Sequence, residues 1–145
     1  MNPQPSADPP CATILYRQVR RKEWFDPDDE SKVMAEAFMR RRARTRPDGT
    51  IDEGDADGLS VYDSFRITRQ ACVEDCQSCH GLVTLHVGTL RDLGLTVVRD
   101  PLDVRKILVI DLPFSNPGDE RQEALLEAVA ASARIAMRLR WQRPI

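Results

Sequence analysis

The chain has 145 residues, of which 41% are hydrophobic and 30% are charged, and this is enough apolar sequence for the core of one domain. Its net charge is −2 at pH 7, so no overall field attracts it to nucleic acid or to anionic lipid. Such binding would require a local basic patch. No stretch approaches the roughly 18 consecutive apolar residues of a membrane span.

The first residues resemble neither a secretory signal nor a packed element. Residues 1–10 include four prolines and lack the apolar run of roughly 7–15 residues that a signal requires. Proline-rich polar sequence cannot offset its ordering entropy by burial. We therefore predict a disordered tail over residues 1–11 and a single domain over residues 12–145. We also predict a cytoplasmic location, in which the four cysteines are reduced.

The first half of the domain gives weak signals. Residues 12–19 mix apolar and polar side chains, which is typical of a strand packed well on one side only. The acidic residues before Lys32 complement a positive helix end and favour a helix over residues 32–44. An extended segment over residues 32–39 is the alternative. Residues 45–58 contain turn residues and many carboxylates, so we predict a loop there.

The middle of the domain is predicted as a strand followed by a helix. Residues 59–62 alternate between apolar and polar side chains, as in a short strand. Residues 69–80 have helical spacing, Thr68 is a suitable N-cap, and Gly81 follows at the position where helices prefer glycine.

Residues 81–113 contain three apolar runs, each closed by Gly, Asp or Pro, and we predict a strand from each run. In the last run, residues 107–112, the apolar side chains do not alternate. Because neighbouring strand residues point to opposite faces of a sheet, this run predicts burial on both sides and a central position.

The last element predicted is a long helix over residues 117–140. Asn116 is a suitable N-cap, and Pro117 suits the first helical position. Acidic residues near the start and arginines near the end match the helix dipole. The complete prediction is one α+β domain. It has a small mixed or antiparallel sheet of about four or five strands, with the long C-terminal helix and the shorter mid-chain helix packed on it.

Three cysteines and a histidine, Cys72, Cys76, Cys79 and His80, are the sharpest candidates for chemistry. On a helix they would share one face, so their side chains could converge on zinc. The alternative is that the cysteines form the buried stripe of the helix, because free cysteine behaves as a small hydrophobic residue. We favour burial, and therefore no cofactor, with zinc or an iron–sulfur cluster as the alternatives.

The same residues resemble two cofactor motifs. The sequence from Cys76 to His80 resembles the haem attachment site of the cytochrome c family, which implies two thioether bonds and a histidine ligand to iron. The spacing of Cys72, Cys76 and Cys79 resembles the cluster loop of radical S-adenosylmethionine enzymes, which implies three thiolate ligands to an iron–sulfur cluster.

Five arginines stand within seven residues and could bind an acidic group. They are Arg40, Arg41, Arg42, Arg44 and Arg46. No aromatic residue is interleaved to stack on bases, and acidic segments flank the arginines on both sides. We therefore expect charge pairing within the chain. A protein partner with an acidic face is the first alternative, and nucleic acid is the second.

The sequence from Leu15 to Arg17 resembles the opening strand of ADP-ribosyltransferase-like toxins of the RES type. The resemblance implies that Tyr16 and Arg17 contribute to an NAD-binding pocket. A pocket that holds Arg17 beside a glutamate and an aromatic residue would favour this hypothesis, whereas a filled apolar environment would oppose it.

Two further segments, LYRQV over residues 15–19 and LSVYD over residues 59–63, resemble those of a group of small bacterial proteins. The resemblance implies a shared fold and no particular activity. Because no convergent catalytic set is visible, we expect an accessory protein that acts by binding a partner protein rather than by catalysis. The arginine segment and Trp141 are the candidate contacts. Metal binding and the ADP-ribosyltransferase activity are the alternative functions.

Overall fold

The computed structural model describes residues 8–76, 78–114 and 118–139, and its main feature is a six-stranded antiparallel sheet. In chain order the elements are β1 (Ile14–Val19), β2 (Arg44–Thr45), β3 (Ile51–Asp52), β4 (Leu59–Asp63), α1 (Arg69–Glu74), β5 (Gly81–His86), α2 (Val87–Asp92), β6 (Val97–Arg99), β7 (Lys106–Val109), α3 (Glu120–Ser132) and β8 (Arg134–Arg138). The order in the sheet is β6-β7-β4-β1-β5-β8, and β2 pairs with β3 in a separate hairpin. The predicted α+β class is confirmed, with six strands in the sheet.

The centre of the sheet is formed by β1, which lies between β4 and β5. Five of its six residues are buried, so the prediction of a strand packed on one side only was wrong. The predicted central run, residues 107–112, corresponds to β7, which is second from the edge. In β7, Ile107 and Val109 are buried while Leu108 is only half-buried, so the side chains do alternate between the two faces.

Two helices and a 3-10 segment pack on one face of the sheet, which we call the covered face. This face carries Leu15, Val61 and Val83. The helices α2 and α3 and the 3-10 segment Ala35–Phe38 pack over these side chains and form the larger of two core clusters. Burial of this much aliphatic surface is the main source of stability in a domain of this size.

The opposite face is only partly covered, and we call it the open face. It carries Tyr16, Tyr62 and Leu82, which pack against α1 through Cys72 and Val73. The helix α1 has six residues and covers only part of this face, so the smaller core cluster stops beside it. The position of α1 therefore decides which part of the open face is accessible.

The start of α1 is as predicted, but its end is not. The Thr68 hydroxyl accepts a hydrogen bond from the amide of Ala71 at 3.1 Å, so the predicted N-cap is confirmed. The helix ends at Glu74, and Gly81 begins β5 instead of terminating a helix. A Cβ atom at Gly81 would collide with the carbonyl oxygen of Met137 in β8 and with the ring of Phe25. Glycine is therefore required by the close approach of two strands.

The helix predicted over residues 32–44 was wrong, and the predicted C-terminal helix is confirmed over a shorter range. In the segment 32–44, Val33 forms a bridge with Phe25, residues 35–38 form a 3-10 turn, and Arg44 begins β2. In the segment 117–140, α3 covers only Glu120–Ser132, and Arg134–Arg138 forms the edge strand β8. Asp119 is the N-cap of α3 and accepts from the amide of Arg121 at 2.8 Å.

Two smaller predictions also differ from the structure. The second apolar run after Gly81 contains α2 before β6, and the predicted loop over residues 45–58 contains the hairpin strand β3. Three sequence-based predictions fall outside the described residues: most of the N-terminal tail, the helix start at residues 115–117, and Trp141. None of the helices in the described part of the chain has the length and apolar composition of a membrane-spanning segment.

Candidate functional site

The turn that follows β4 presents an aromatic side chain to solvent. The Asp63 carboxylate accepts a hydrogen bond from the amide of Phe65 at 2.9 Å, and the Asp63 carbonyl accepts one from the amide of Arg66 at 2.9 Å. The amide of Ser64 donates to the carbonyl of Ile14 at 3.1 Å. These bonds fix a tight turn, and at its tip the side chain of Phe65 is 81% exposed.

A buried ion pair joins this turn to the loop between β6 and β7. Arg99 donates from Nη2 to Asp63 at 3.0 Å and from Nη1 to the carbonyl of Val104 at 2.9 Å. The side chains of Arg99 and Asp63 are only 9% and 4% exposed. The loop itself carries two exposed apolar residues, Leu102 and Val104, at 91% and 50% exposure. Two loops with exposed apolar side chains are thus held together at one end of the sheet.

An open cleft of about 680 Å³ lies beside Phe65, between the turn and the start of α1. Tyr16 and Met137, which belong to the open face, line it together with Ile67. Arg66 and Arg69 also line the cleft. The cleft therefore lies between the turn after β4, the first turn of α1 and part of the open face.

The charge of the cleft is positive and is not neutralised locally. Arg66 is exposed, and its side chain makes no hydrogen bond or ion pair with any described residue. Arg69 is also exposed, and its guanidinium lies 6.0 Å from the centre of the Tyr16 ring. No described carboxylate pairs with Arg69 either. The cleft therefore combines apolar walls with two cations that lack anionic partners among residues 8–76, 78–114 and 118–139.

The cysteines are divided between α1 and the loop after it. Cys72 lies within α1 and is fully buried, whereas Cys76 and Cys79 follow the helix and are half-buried. Burial is the main cause that raises the pKa of Cys72 to about 12, and it also raises the pKa of Cys79. The prediction that all three cysteines form one buried helical stripe therefore holds only for Cys72.

No three His, Cys, Asp or Glu side chains in the described part of the chain are grouped closely enough to hold a metal ion. The backbone of His80 joins two strands, because its amide donates to Val19 and its carbonyl accepts from Leu139, at 2.7 and 2.9 Å. The zinc, haem and iron–sulfur hypotheses for Cys72, Cys76, Cys79 and His80 remain predictions.

The end of α1 is tied to the sheet by polar contacts. The Tyr62 hydroxyl donates to the Asp75 carboxylate. Burial and this contact raise the pKa of Tyr62 well above its usual value. Gln18 donates from Nε2 to the carbonyl of Cys72 at 2.7 Å, and Arg105 lies 3.8 Å from Asp75. These contacts fix the position of α1 and therefore the wall of the cleft.

The arginine segment has two different roles. The guanidinium of Arg40 donates to the carbonyls of Asp55, Ala56 and Ile110 at 3.0, 2.7 and 2.8 Å and lies 4.1 Å from the centre of the Phe114 ring. Arg40 therefore holds the loop after β3 against Ile110, the residue that directly follows β7. Satisfying three carbonyls is a structural role.

The other arginines lie at the surface of the β2–β3 hairpin. Arg41, Arg44 and Arg46 approach the Asp52 carboxylate at 3.6, 3.6 and 3.8 Å. This geometry agrees with the predicted charge pairing within the chain, and water screens the pairs because the arginines are exposed. Arg42 lies 5.4 Å from the centre of the Phe114 ring.

Tyr16 and Arg17 lie on opposite faces of the sheet. Tyr16 belongs to the cluster on the open face. Arg17 points to the covered face, where its Nε donates to the carbonyl of Ala37 at 2.8 Å. Arg17 also donates to the carbonyl of Ser60 at 3.2 Å, and burial lowers its pKa to about 10. This geometry gives no support to a common NAD pocket that contains both side chains.

Comparisons of the chain with protein-family models, curated proteins and solved structures gave no match. The function must therefore be argued from the site itself. The sequence alone did not indicate that Phe65, Arg66 and Arg69 line a cleft. The only available signal was an aromatic residue, Phe65, placed in a polar turn directly before Arg66.

Proposed function

We propose that this chain is a small cytoplasmic accessory protein that acts by binding a partner protein, and that the partner docks in the cleft beside Phe65. The observation that carries the proposal is the 81% exposure of Phe65 at the mouth of an apolar cleft. A large apolar side chain on a rigid turn, next to further exposed apolar residues, is typical of an interaction surface.

The rigidity of the turn favours tight binding. Binding normally costs free energy because side chains and loops must be ordered. Here the turn is already fixed by the Asp63 carboxylate, and the ion pair to Arg99 fixes the neighbouring loop. Because the backbone of the turn is already fixed, binding through Phe65 does not require this loop to be ordered, and aromatic residues are enriched at interfaces.

The chemistry of the cleft defines the partner. Tyr16, Ile67 and Met137 provide a surface for an apolar side chain, and methionine adapts readily to different shapes. Arg66 and Arg69 are exposed cations without an anionic partner among the described residues. The matching ligand is an acidic protein segment that carries an apolar residue next to its carboxylates.

A nucleic acid fits less well, although an exposed aromatic residue beside two arginines could stack on a base. The chain has a net charge of −2, and affinity for nucleic acid comes mainly from neutralising many phosphates. Two arginines neutralise too few phosphates for stable binding.

The proposal is tested by capture from the native host with three forms of the full chain. These forms are the wild type, the double variant Phe65→Ala with Arg66→Glu, and the control Ile51→Ala. Ile51 is 68% exposed on the separate β2–β3 hairpin, so its substitution removes a comparable apolar side chain elsewhere. We expect one protein to be enriched by the wild type and the control and to be lost with the double variant.

Two results would contradict the proposal. In the first, the double variant captures the same proteins as the wild type. In the second, the captured material is lost after nuclease treatment, which would indicate a nucleic acid. Circular dichroism of each variant provides the folding control, because all three substituted residues are exposed and their replacement should leave the fold unchanged.

A further inference from the structure

The strand β8 lies at one edge of the six-stranded sheet and pairs with β5 on one side only. On its other side there is no strand in the described part of the chain. An edge strand presents backbone N–H and C=O groups to any extended segment that can lie beside it. The strand β6 at the opposite edge has only three residues, whereas β8 has five. The longer of the two edges is therefore β8.

This edge is continuous with the cleft beside Phe65. Met137 of β8 lines the cleft together with Tyr16 of β1 and the residues of the turn after β4. In the sheet, β5 lies between β1 and β8, so the cleft extends across the open face from the turn to the edge strand. A segment that binds in the cleft therefore reaches the backbone of β8.

Both ends of β8 carry an exposed arginine, and its centre is apolar and half-buried. Arg134 donates from Nη1 to the carbonyls of Ala131 and Ala133 at 3.2 and 3.0 Å, at the end of α3. The guanidinium of Arg138 lies 4.7 Å from the centre of the Phe25 ring. Neither guanidinium forms an ion pair with a carboxylate of the described residues. The positive charge at both ends of the edge is thus available to an anionic strand.

A second copy of the chain fits this edge poorly. If two copies of β8 paired antiparallel over their full length, Arg134 of each copy would lie opposite Arg138 of the other. Like charges directly opposite each other destabilise a strand pair. An acidic strand places the opposite charge at the same positions, so charge complementarity favours an acidic segment of another protein over self-association.

We propose that the acidic segment of the partner protein binds in an extended conformation and adds a seventh strand to the sheet beside β8, with carboxylates next to Arg134 and Arg138. This inference rests on the proposed function, because it describes how the partner in the cleft is held. Main-chain hydrogen bonds to β8 provide affinity, and an apolar side chain that enters the cleft beside Met137 provides specificity. The two arginines select an acidic strand over a neutral one.

The first test is hydrogen exchange of the full chain, followed amide by amide by NMR. The probe is a short acidic peptide that is selected by phage display on the immobilised chain and then synthesised. In the free chain we expect some amides of residues 134–138 to exchange rapidly, because they face no neighbouring strand. When the peptide is bound at saturation, exchange of these amides should slow by at least about 10-fold.

The second test is methylation of one backbone amide of the peptide at a time, because a methylated amide cannot donate a hydrogen bond. Alternate residues of a strand direct their backbone groups to the same neighbour. We therefore expect the affinity to fall by about 10-fold or more at every second position and to change little at the positions between.

The third test is charge reversal at the ends of the edge. Arg134→Glu and Arg138→Glu should each weaken peptide binding by about 10-fold, because each puts a carboxylate opposite a carboxylate. The matched control is Arg121→Glu, which should leave the affinity unchanged. Arg121 is exposed near the start of α3, whereas β8 follows the end of that helix. Circular dichroism of each variant checks its folding.

Four results would overturn the added strand: slow exchange of all β8 amides in the free chain, unchanged exchange on binding, methylation without an alternating effect, or a dimer of the free chain that the peptide dissociates. Each of these leaves the proposed function standing if the peptide still requires Phe65. A peptide that protects β8 but binds Phe65→Ala as tightly as the wild type would contradict the proposed function and support the added strand. A selection without acidic peptides would overturn both. The exchange and methylation tests use the wild-type chain, so they decide the question even if a variant folds poorly.

Discussion

The two faces of the sheet differ in how completely they are covered. The covered face packs against α2, α3 and a 3-10 segment, and its cluster holds twenty of the described residues, including the fully buried Phe38 and Leu85. The open face packs mainly against the six-residue helix α1, and its cluster holds six buried residues of the described part of the chain. Burial of apolar side chains is therefore concentrated on the covered face, which we expect to provide most of the stability. The open face leaves a cleft beside α1.

Arginines show the same contrast. On the covered side Arg17 is buried, and backbone carbonyls satisfy its guanidinium. Beside the open face Arg66 and Arg69 are exposed and have no anionic partners among the described residues. A buried cation that donates to carbonyls supports the fold, whereas an exposed cation at an apolar cleft is available to a ligand.

The largest effect on folding is expected from Phe38→Ala on the covered face. The side chain is fully buried, so its removal leaves a cavity and should lower the free energy of unfolding by about 3–5 kcal/mol. Urea unfolding followed by circular dichroism measures the change, and the exposed Ile51→Ala serves as the matched control. A loss below about 1 kcal/mol would show that the covered face is not the main source of stability.

The next effect is expected from Asp63→Asn, which breaks the ion pair that holds the two exposed loops together. The side chains of Asp63 and Arg99 are nearly buried, so the loss of one charge should cost about 3 kcal/mol. A double-mutant cycle with Arg99→Gln isolates the coupling between the two residues, which we expect to exceed about 1 kcal/mol. If the effects of the two single substitutions on the free energy of unfolding were simply additive, the ion pair between Asp63 and Arg99 would not hold the two loops together.

A smaller, pH-dependent effect is expected from Cys72. Its pKa is raised from 9.0 to about 12 in the folded state, so the unfolded chain loses the thiol proton at lower pH than the folded chain. The folded state therefore binds more protons between these values, and stability falls as the pH rises through that window. In Cys72→Val, thermal unfolding measured from pH 8 to 10 should show a weaker alkaline loss of stability than the wild type. If the melting temperatures of the variant and the wild type fell equally with rising pH, the Cys72 thiol would not contribute to the pH dependence of stability.

The smallest effect on folding is expected from Phe65→Ala beside the open face. Because the side chain is 81% exposed, its removal should change the free energy of unfolding by no more than about 0.5 kcal/mol. The same substitution should remove most of the partner binding. A large loss of stability would instead show that Phe65 has a structural role, and the two faces would then not differ as described.

Local signals in the sequence predicted several elements correctly. The alternation of residues 59–62 predicted β4, and Thr68 predicted the start of α1, because both signals depend on neighbours along the chain. The C-terminal segment shows where such signals fail. Arg134–Arg138 contains good helix formers, yet it pairs with β5 as an edge strand. This pairing joins residues that are far apart in sequence, and it overrides helix propensity.

The candidate site was less predictable than the fold. The sequence identified Cys72, Cys76 and Cys79 as a group, but it did not show that the helix ends before the last two. The cleft depends on Tyr16 and Met137, which come from strands at opposite ends of the chain. Such a site appears only when the sheet order is known. Exposure of Phe65 likewise depends on a turn fixed by Asp63.

The most direct test of the central claim is selection of binders from a random peptide library displayed on phage, with the immobilised full chain as the target. We expect the enriched peptides to share carboxylates next to an aromatic or aliphatic residue. Their affinity should fall by at least about 10-fold in Phe65→Ala and in Arg66→Glu, and it should be unchanged in Ile51→Ala. Enriched peptides that bind all of these variants equally, or a selection that yields no acidic peptide, would contradict the account.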